Sequence, residues 1–171
     1  MTGYVALVRA VNVGGTGKLP MAVLAAMGAA AGFAGVRTYI ASGNLVFSSD
    51  LDAAAVQAAL ADRLAAYAGR PVGVLVRTAA EMAAVVAGNP FPDVAGNRLI
   101  MVFVDGPLDD VLVGVSGQGG ERIVVGERAI YVAYDAGMGS SKLKIPGAGA
   151  GTGRNMNSVR KLAEMAGAEV G

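Results

Sequence analysis

Cysteine, histidine and tryptophan are all absent from the 171 residues. Their absence removes disulfides, thiol nucleophiles, zinc sites built on Cys or His, and every mechanism that uses imidazole as a base. Chemistry in this chain must run on Asp, Glu, Lys, Arg, Tyr, Ser or the backbone, and no metal and no cofactor is expected. Charged residues make up 16% and aromatics 5% of the sequence, both low for a globular chain. The apolar fraction of 54% is inflated by alanine. The N-terminus lacks a basic segment followed by a leucine-rich core and a cleavage site, so no signal peptide is read and a cytoplasmic location is expected. One charge-free stretch, Leu19 to Val36, reaches the lower length for a membrane span. It is mostly Ala and Gly, and Val23, Leu24 and Met27 form a narrow stripe, so it is read as an amphipathic helix with no membrane role.

What is present is unevenly placed. Residues 1 to 49 hold Arg9, Lys18 and Arg37 with no acid, and residues 136 to 163 hold Lys142, Lys144, Arg154, Arg160 and Lys161 with no acid. The middle of the chain is acidic, and the total returns to +1. If the two ends meet, they form a basic face that focuses a field on an anion.

Hydrophobic periodicity and turn residues give the element order. A strand over Tyr4 to Val11 runs into the cluster Gly14-Gly15-Thr16-Gly17, and Pro20 takes the first position of a helix reaching about Gly32. Strands over Val36–Ala41 and Leu45–Ser49 flank the turn Ser42-Gly43-Asn44. A helix over Asp50–Tyr67 follows, with the stripe Val56, Leu60, Leu64, Tyr67, and then a strand over Val72–Arg77. This β-α-β-β-α-β order is that of a ferredoxin-like half, residues 1–78. A capping box Thr78-Ala79-Ala80-Glu81 opens a linking helix within residues 79–97. Residues 98–171 then repeat the order loosely: strands at 98–105, 122–125, 129–134 and 151–155, a weak helix at 108–115, a short one near Ser141, and a last helix at 157–166. The expected fold is α+β, two tandem ferredoxin-like halves with antiparallel sheets plus a C-terminal helix.

Three blocks carry a family resemblance: Ala6-Leu7-Val8-Arg9-Ala10-Val11-Asn12-Val13-Gly14-Gly15 with Lys18-Leu19-Pro20-Met21; Val36 to Asn44; and Arg154 to Leu162. They resemble the bacterial family known as domain of unknown function 1697, across nearly the whole chain. The third block departs from the family pattern at Met156, where a Trp is usual. The resemblance implies two ferredoxin-like halves and no established activity.

The segment from Asn12 to Leu19 has the order of a P-loop, but Asn12 stands where the first glycine is required and Leu19 where a magnesium-binding Ser or Thr is required. What survives is an anion seat: the backbone of Gly14, Gly15 and Gly17 at a helix N-terminus, with the Lys18 ammonium. A second cluster, Gly147 to Gly153, lacks the spacing of a dinucleotide fingerprint and reads as a flexible loop. After it, Asn157 is expected to cap the last helix. Arg154 and Asn155 are left as a donor fork and an adjacent amide for phosphate or carboxylate. Arg9, inside an apolar strand beside a glycine loop, and Arg37 join the candidate ligand set with Asn12, Ser42 and Asn44. Ser42 has no neighbouring base to make it a nucleophile. A base-stacking platform requires Tyr39 and Phe47 to face outward together.

These residues point to binding of a small-molecule anion, phosphate-bearing or a nucleotide. An enzyme using Lys18 or Tyr39 as acid or base, a nucleic-acid binder and a homodimeric interaction module are the alternatives.

Overall fold

The computed structural model describes residues 1–9 and 18–170, with side chains through residue 167. The described residues form eight strands in two four-stranded antiparallel sheets, with four α-helices including one at the C-terminus. It divides into two compact units, Met1–Ala83 with Lys161–Gly171, and Ala84–Arg160.

The first unit is built from β1 (Thr2–Val8), α1 (Met21–Ala30), β2 (Ala34–Thr38), β3 (Asn44–Ser49), α2 (Ala53–Ala68) and β4 (Val74–Thr78). The strand order is β2-β3-β1-β4. Alternation along β1 sends Tyr4, Ala6 and Val8 to one face, where they join Leu45 and Phe47 of β3, Val74 and Val76 of β4, and the buried stripes of α1 and α2. Phe47 stacks on Phe33, ring centroids 4.2 Å apart, and on Tyr4 at 5.8 Å. The opposite face is also buried: Val5, Leu7, Val46 and Leu75 are at most 3% exposed. A row of register partners crosses that face in the order Arg37, Val46, Val5, Arg77.

The local signals explain the element ends. Asp52 accepts from the Ala55 amide and caps α2, which stops at Gly69 with φ +72°. Thr78 and Glu81 form the reciprocal capping box, Thr78 N–H to the Glu81 carboxylate at 3.0 Å and Glu81 N–H to the Thr78 hydroxyl at 3.1 Å, opening α3 (Ala79–Ala87). Pro20 stands one residue before α1 as its N-cap, not inside it, and no side chain caps that helix. β1 ends at Val8, so Arg9 lies past the strand and is exposed; the expected run of strand to Val11 extends beyond the described residues.

The second unit holds β5 (Leu99–Phe103), β6 (Arg122–Val125), β7 (Ala129–Ala133) and β8 (Thr152–Asn155), in the order β6-β7-β5-β8, which repeats the strand sequence of the first sheet. α4 (Met156–Val170) follows. The helices expected at 108–115 and near Ser141 are not formed: both stretches are turns, and a 3₁₀ turn, Pro146–Ala148, stands between β7 and β8. Glycine at 114 and 117, both with positive φ, and at 139 breaks any helical run there. The second glycine cluster is closely packed, not loose: a Cβ at Gly151 would stand 2.5 Å from the Phe103 carbonyl oxygen. Among the described residues no helix is long and apolar enough to cross a membrane.

Candidate functional site

In the first unit the antiparallel order brings three connections to one end of the sheet. β1 and β2 finish there, β3 and β4 begin there, α1 starts there and α2 stops there. Two backbone hydrogen bonds tie the connections together, Val8 N–H to Gly43 O and Arg9 N–H to Gly73 O, both 2.8 Å. The Arg9 side chain lies over Gly73, where an added Cβ would come within 3.3 Å of it. Arg9, Lys18 and Arg70 are exposed, one from each end of the β1–α1 connection and one from the α2–β4 connection. None of the three connections, residues 9–20, 39–43 and 69–73, contains Asp or Glu. The first turn of α1 has no acid either, so its unsatisfied N–H groups add partial positive charge. The opposite end of the same sheet carries Asp50, Asp52 and Glu81, just after β3 and β4. The acids at the ends of the sheet are thus confined to that far one, where the Met1 amine stands 3.5 Å from Asp50 and Arg77 lies near the end of β4, while the end carrying Arg9, Lys18 and Arg70 holds cations with no acid in its connections.

The β2–β3 connection is held in an unusual shape. Ile40 has φ +50°, a left-handed conformation costly for a β-branched residue, and is 52% exposed. Asn44, fully buried, fixes it: the amide donates to the Tyr39 carbonyl and the Ser42 hydroxyl, both at 2.9 Å. Asn44 thus shapes the connection, and Ser42, half-buried, accepts from it.

The other expected site residues fall as follows. Asn12, Gly14, Gly15 and Gly17 lie outside the described residues. Arg37 is exposed on β2, and because Val36 packs into the α1 and α2 core, Arg37 takes the other face, where it donates to the Met165 carbonyl of α4 at 3.0 Å. Phe47 is fully buried and Tyr39 half-buried, so the outward Tyr39–Phe47 platform does not exist. Its register explains why: Phe47 sits opposite Tyr4, on the helix-covered face.

Arg154, Asn155 and Asn157 belong to the second unit. Asn155, not Asn157, caps the last helix: its side chain accepts from the Ser158 amide at 2.9 Å, because α4 begins at Met156 directly after β8. Asn157 is exposed, and its amide approaches Gly96 so closely that a Cβ there would overlap it. Arg154 is 8% exposed; its guanidinium donates to Thr152 Oγ1 at 2.6 Å and Gly153 O at 2.9 Å, and burial pushes it down to about 10. It remains a cation at neutral pH, its desolvation a standing cost.

Arg77 and Arg70 are the residues that sequence reading missed. Arg77 is 4% exposed and its guanidinium donates to the Val76 carbonyl at 2.9 Å. It occupies in β4 the place Arg154 occupies in β8: a buried arginine, then a cap, then a helix. The signal was a charge at the end of Val74-Leu75-Val76, as telling as Arg9 after Val8. Arg70 is brought by the antiparallel topology to the same end of the sheet as Arg9, which sequence order does not reveal.

The second unit also has a cavity of about 230 Å³ whose lining includes Glu121, Tyr134, Asp135, Ser141 and Lys142. Asp135 and Arg122 form a two-pronged pair, 2.8 and 2.9 Å, and the Arg122 guanidinium lies 4.8 Å over the Phe91 ring. The pairing holds the Asp135 carboxyl below its ordinary range. Glu121 accepts from the Ser141 hydroxyl and from the Gly119 amide, and these bonds, Ser141 first, lower its pKa from 4.5. An acid depressed in the folded state contributes stability above its ordinary pKa and loses it as pH falls through the folded value. Ser141→Ala removes the largest cause, so unfolding free energy in urea should fall less between about pH 5 and pH 3 in the variant than in the unaltered chain. Parallel pH profiles would show that the Ser141 hydrogen bond contributes nothing.

Comparison with known proteins adds the following. The model of the family described as protein of unknown function (DUF1697) matches residues 1–131. A search of curated proteins finds no match. Among solved structures, the conserved bacterial protein SP0830 from Streptococcus pneumoniae is similar at 25% identity, covering 96% of this chain and 98% of that one, with a TM-score of 0.80. The chain belongs to the DUF1697 family of proteins of unknown function.

Proposed function

We propose that this chain is a cytoplasmic protein that binds a phosphate-bearing small molecule or nucleotide at the cationic end of its first unit. Each unit is read as a ferredoxin-like arrangement, complete in the first and stripped of its crossover helices in the second. The observation that carries the functional reading is the separation of charge along one sheet, with Arg9, Lys18 and Arg70 at one end and Asp50, Asp52 and Glu81 at the other. Like charges gathered on separate connections repel one another, and an anion placed among them turns that repulsion into attraction. A guanidinium offers a planar donor fork to phosphate oxygens and an ammonium a compact charge, while the uncapped start of α1 supplies N–H donors. Arg154, Asn155 and Asn157 are not needed for this site.

The test is a thermal-shift panel at low salt with inorganic phosphate, pyrophosphate, sugar phosphates and mononucleotides. A ligand at a hundred times its dissociation constant adds about 2.7 kcal/mol, a rise of about 5 to 10 °C for a chain of this size. Salt at about 0.5 M should shrink the shift, because exposed charges are screened. A panel in which no phosphate compound moves Tm overturns the proposal.

A further inference from the structure

We propose that the same end of the first unit takes a nucleobase as well as a phosphate, with the Tyr67 ring as the surface on which the base stacks. The inference rests on the phosphate reading and deepens it. Along α2, Val56, Leu60 and Leu64 make the inward stripe and are at most 2% exposed. Tyr67 stands three residues after Leu64, so helical geometry continues the stripe to it. Yet Tyr67 is 49% exposed. The reason is position: α2 overruns the strands, and its last turn stands at the cationic end, followed by Gly69 and Arg70 and the start of β4 at Val74.

An aromatic residue on the inward stripe of a helix, just under half exposed and three residues from an exposed guanidinium, is built unlike a core residue. It is also unlike the solvated face of α2, which is supplied by Ala54, Ala58, Asp62 and Ala66. Aromatic rings beside cations are what a nucleotide unit needs, since every base offers a π-face and every linkage a negative charge. A bare phosphate uses the cations alone. A nucleoside phosphate uses both, and the source can be a free nucleotide or the 5′ end of a single strand.

The experiment compares ribose 5-phosphate, adenosine 5′-monophosphate and a 5′-phosphorylated five-nucleotide DNA strand by calorimetric titration at low salt. The unaltered protein is expected to bind adenosine monophosphate roughly tenfold tighter than ribose 5-phosphate, the lower part of what one stacked base contributes. Tyr67→Ala should erase that preference while leaving ribose 5-phosphate affinity unchanged, and Tyr67→Phe should restore it. Tighter binding of the strand than of the free nucleotide assigns the site to nucleic-acid ends, and equal binding assigns it to free nucleotides. Equal affinity for ribose 5-phosphate and adenosine monophosphate, or a preference that survives Tyr67→Ala, overturns the stacking role and leaves the phosphate reading intact. Failure of ribose 5-phosphate and of inorganic phosphate alike to bind overturns the phosphate reading, and this inference with it.

Discussion

Phe47→Ala should cost the chain about 3 to 5 kcal/mol of unfolding free energy, the range for removing a buried aromatic ring. Phe47 has no exposed surface and lies on an inner strand, between the ring of Phe33 on one side and that of Tyr4 on the other. Neither neighbour can close the gap cheaply, because Phe33 precedes β2 just after Gly32 with its φ of +84° and Tyr4 is fixed by its hydroxyl donating to the Leu51 carbonyl at 2.8 Å. The loss is a large share of the 5 to 15 kcal/mol a domain typically has, and Tm should fall by about 10 °C or more. Urea unfolding followed by circular dichroism measures it. A loss below about 1 kcal/mol would place the ring outside the core, and with it the whole register of β3, since a slip of one residue moves every side chain to the other face.

The second large effect is on binding. Arg9→Glu combined with Arg70→Glu should reduce pyrophosphate affinity by about a hundredfold, at least tenfold for each reversal, as opposite charges become like charges a few ångströms from the ligand. Both side chains are exposed, so stability should change by no more than about 0.5 kcal/mol for each substitution. Asp50→Lys, at the far end of the sheet, should leave the affinity within about twofold, since screening is strong beyond roughly 10 Å. Retained affinity in the double reversal removes Arg9 and Arg70 from the site.

Local chemistry in the sequence was readable where neighbours decide the outcome. The capping box of Thr78 and Glu81 and the strands at 122–125 and 129–134 depend on residues within a few positions of one another, and they stand as the sequence suggests. The first unit's element order was legible for the same reason. Failures came where tertiary packing decides. Phe47 alternates with Leu45 on β3, and nothing in the strand itself says which face the helices will cover. Asn157 looked like a cap because the glycines before it read as loop, but β8 pairs with β5 through Asn155 and passes straight into α4, handing the task to Asn155. Tyr67 fits a core stripe by spacing, and its exposure follows from α2 being longer than the sheet beneath it.

The proposed site was legible in half. The acid-free N-terminal segment marked Arg9 and Lys18, and Ser42 and Asn44 were marked by their turn. Arg70 could be recognised through the antiparallel order alone, which carries the α2–β4 connection to the end where β1 finishes. Linear charge counting also put Arg154 in the ligand set; it is buried, and its guanidinium donates to Thr152 and Gly153 of its own strand.

The most direct test of the phosphate site is an amide NMR titration of the isotopically labelled chain with inorganic pyrophosphate at low salt. The account predicts that shifts concentrate in residues 9–20, 39–43 and 69–73 and at the first turn of α1, saturating together with one dissociation constant. Shifts confined to residues 84–160, or gathered around Asp50, Asp52 and Glu81, would contradict it.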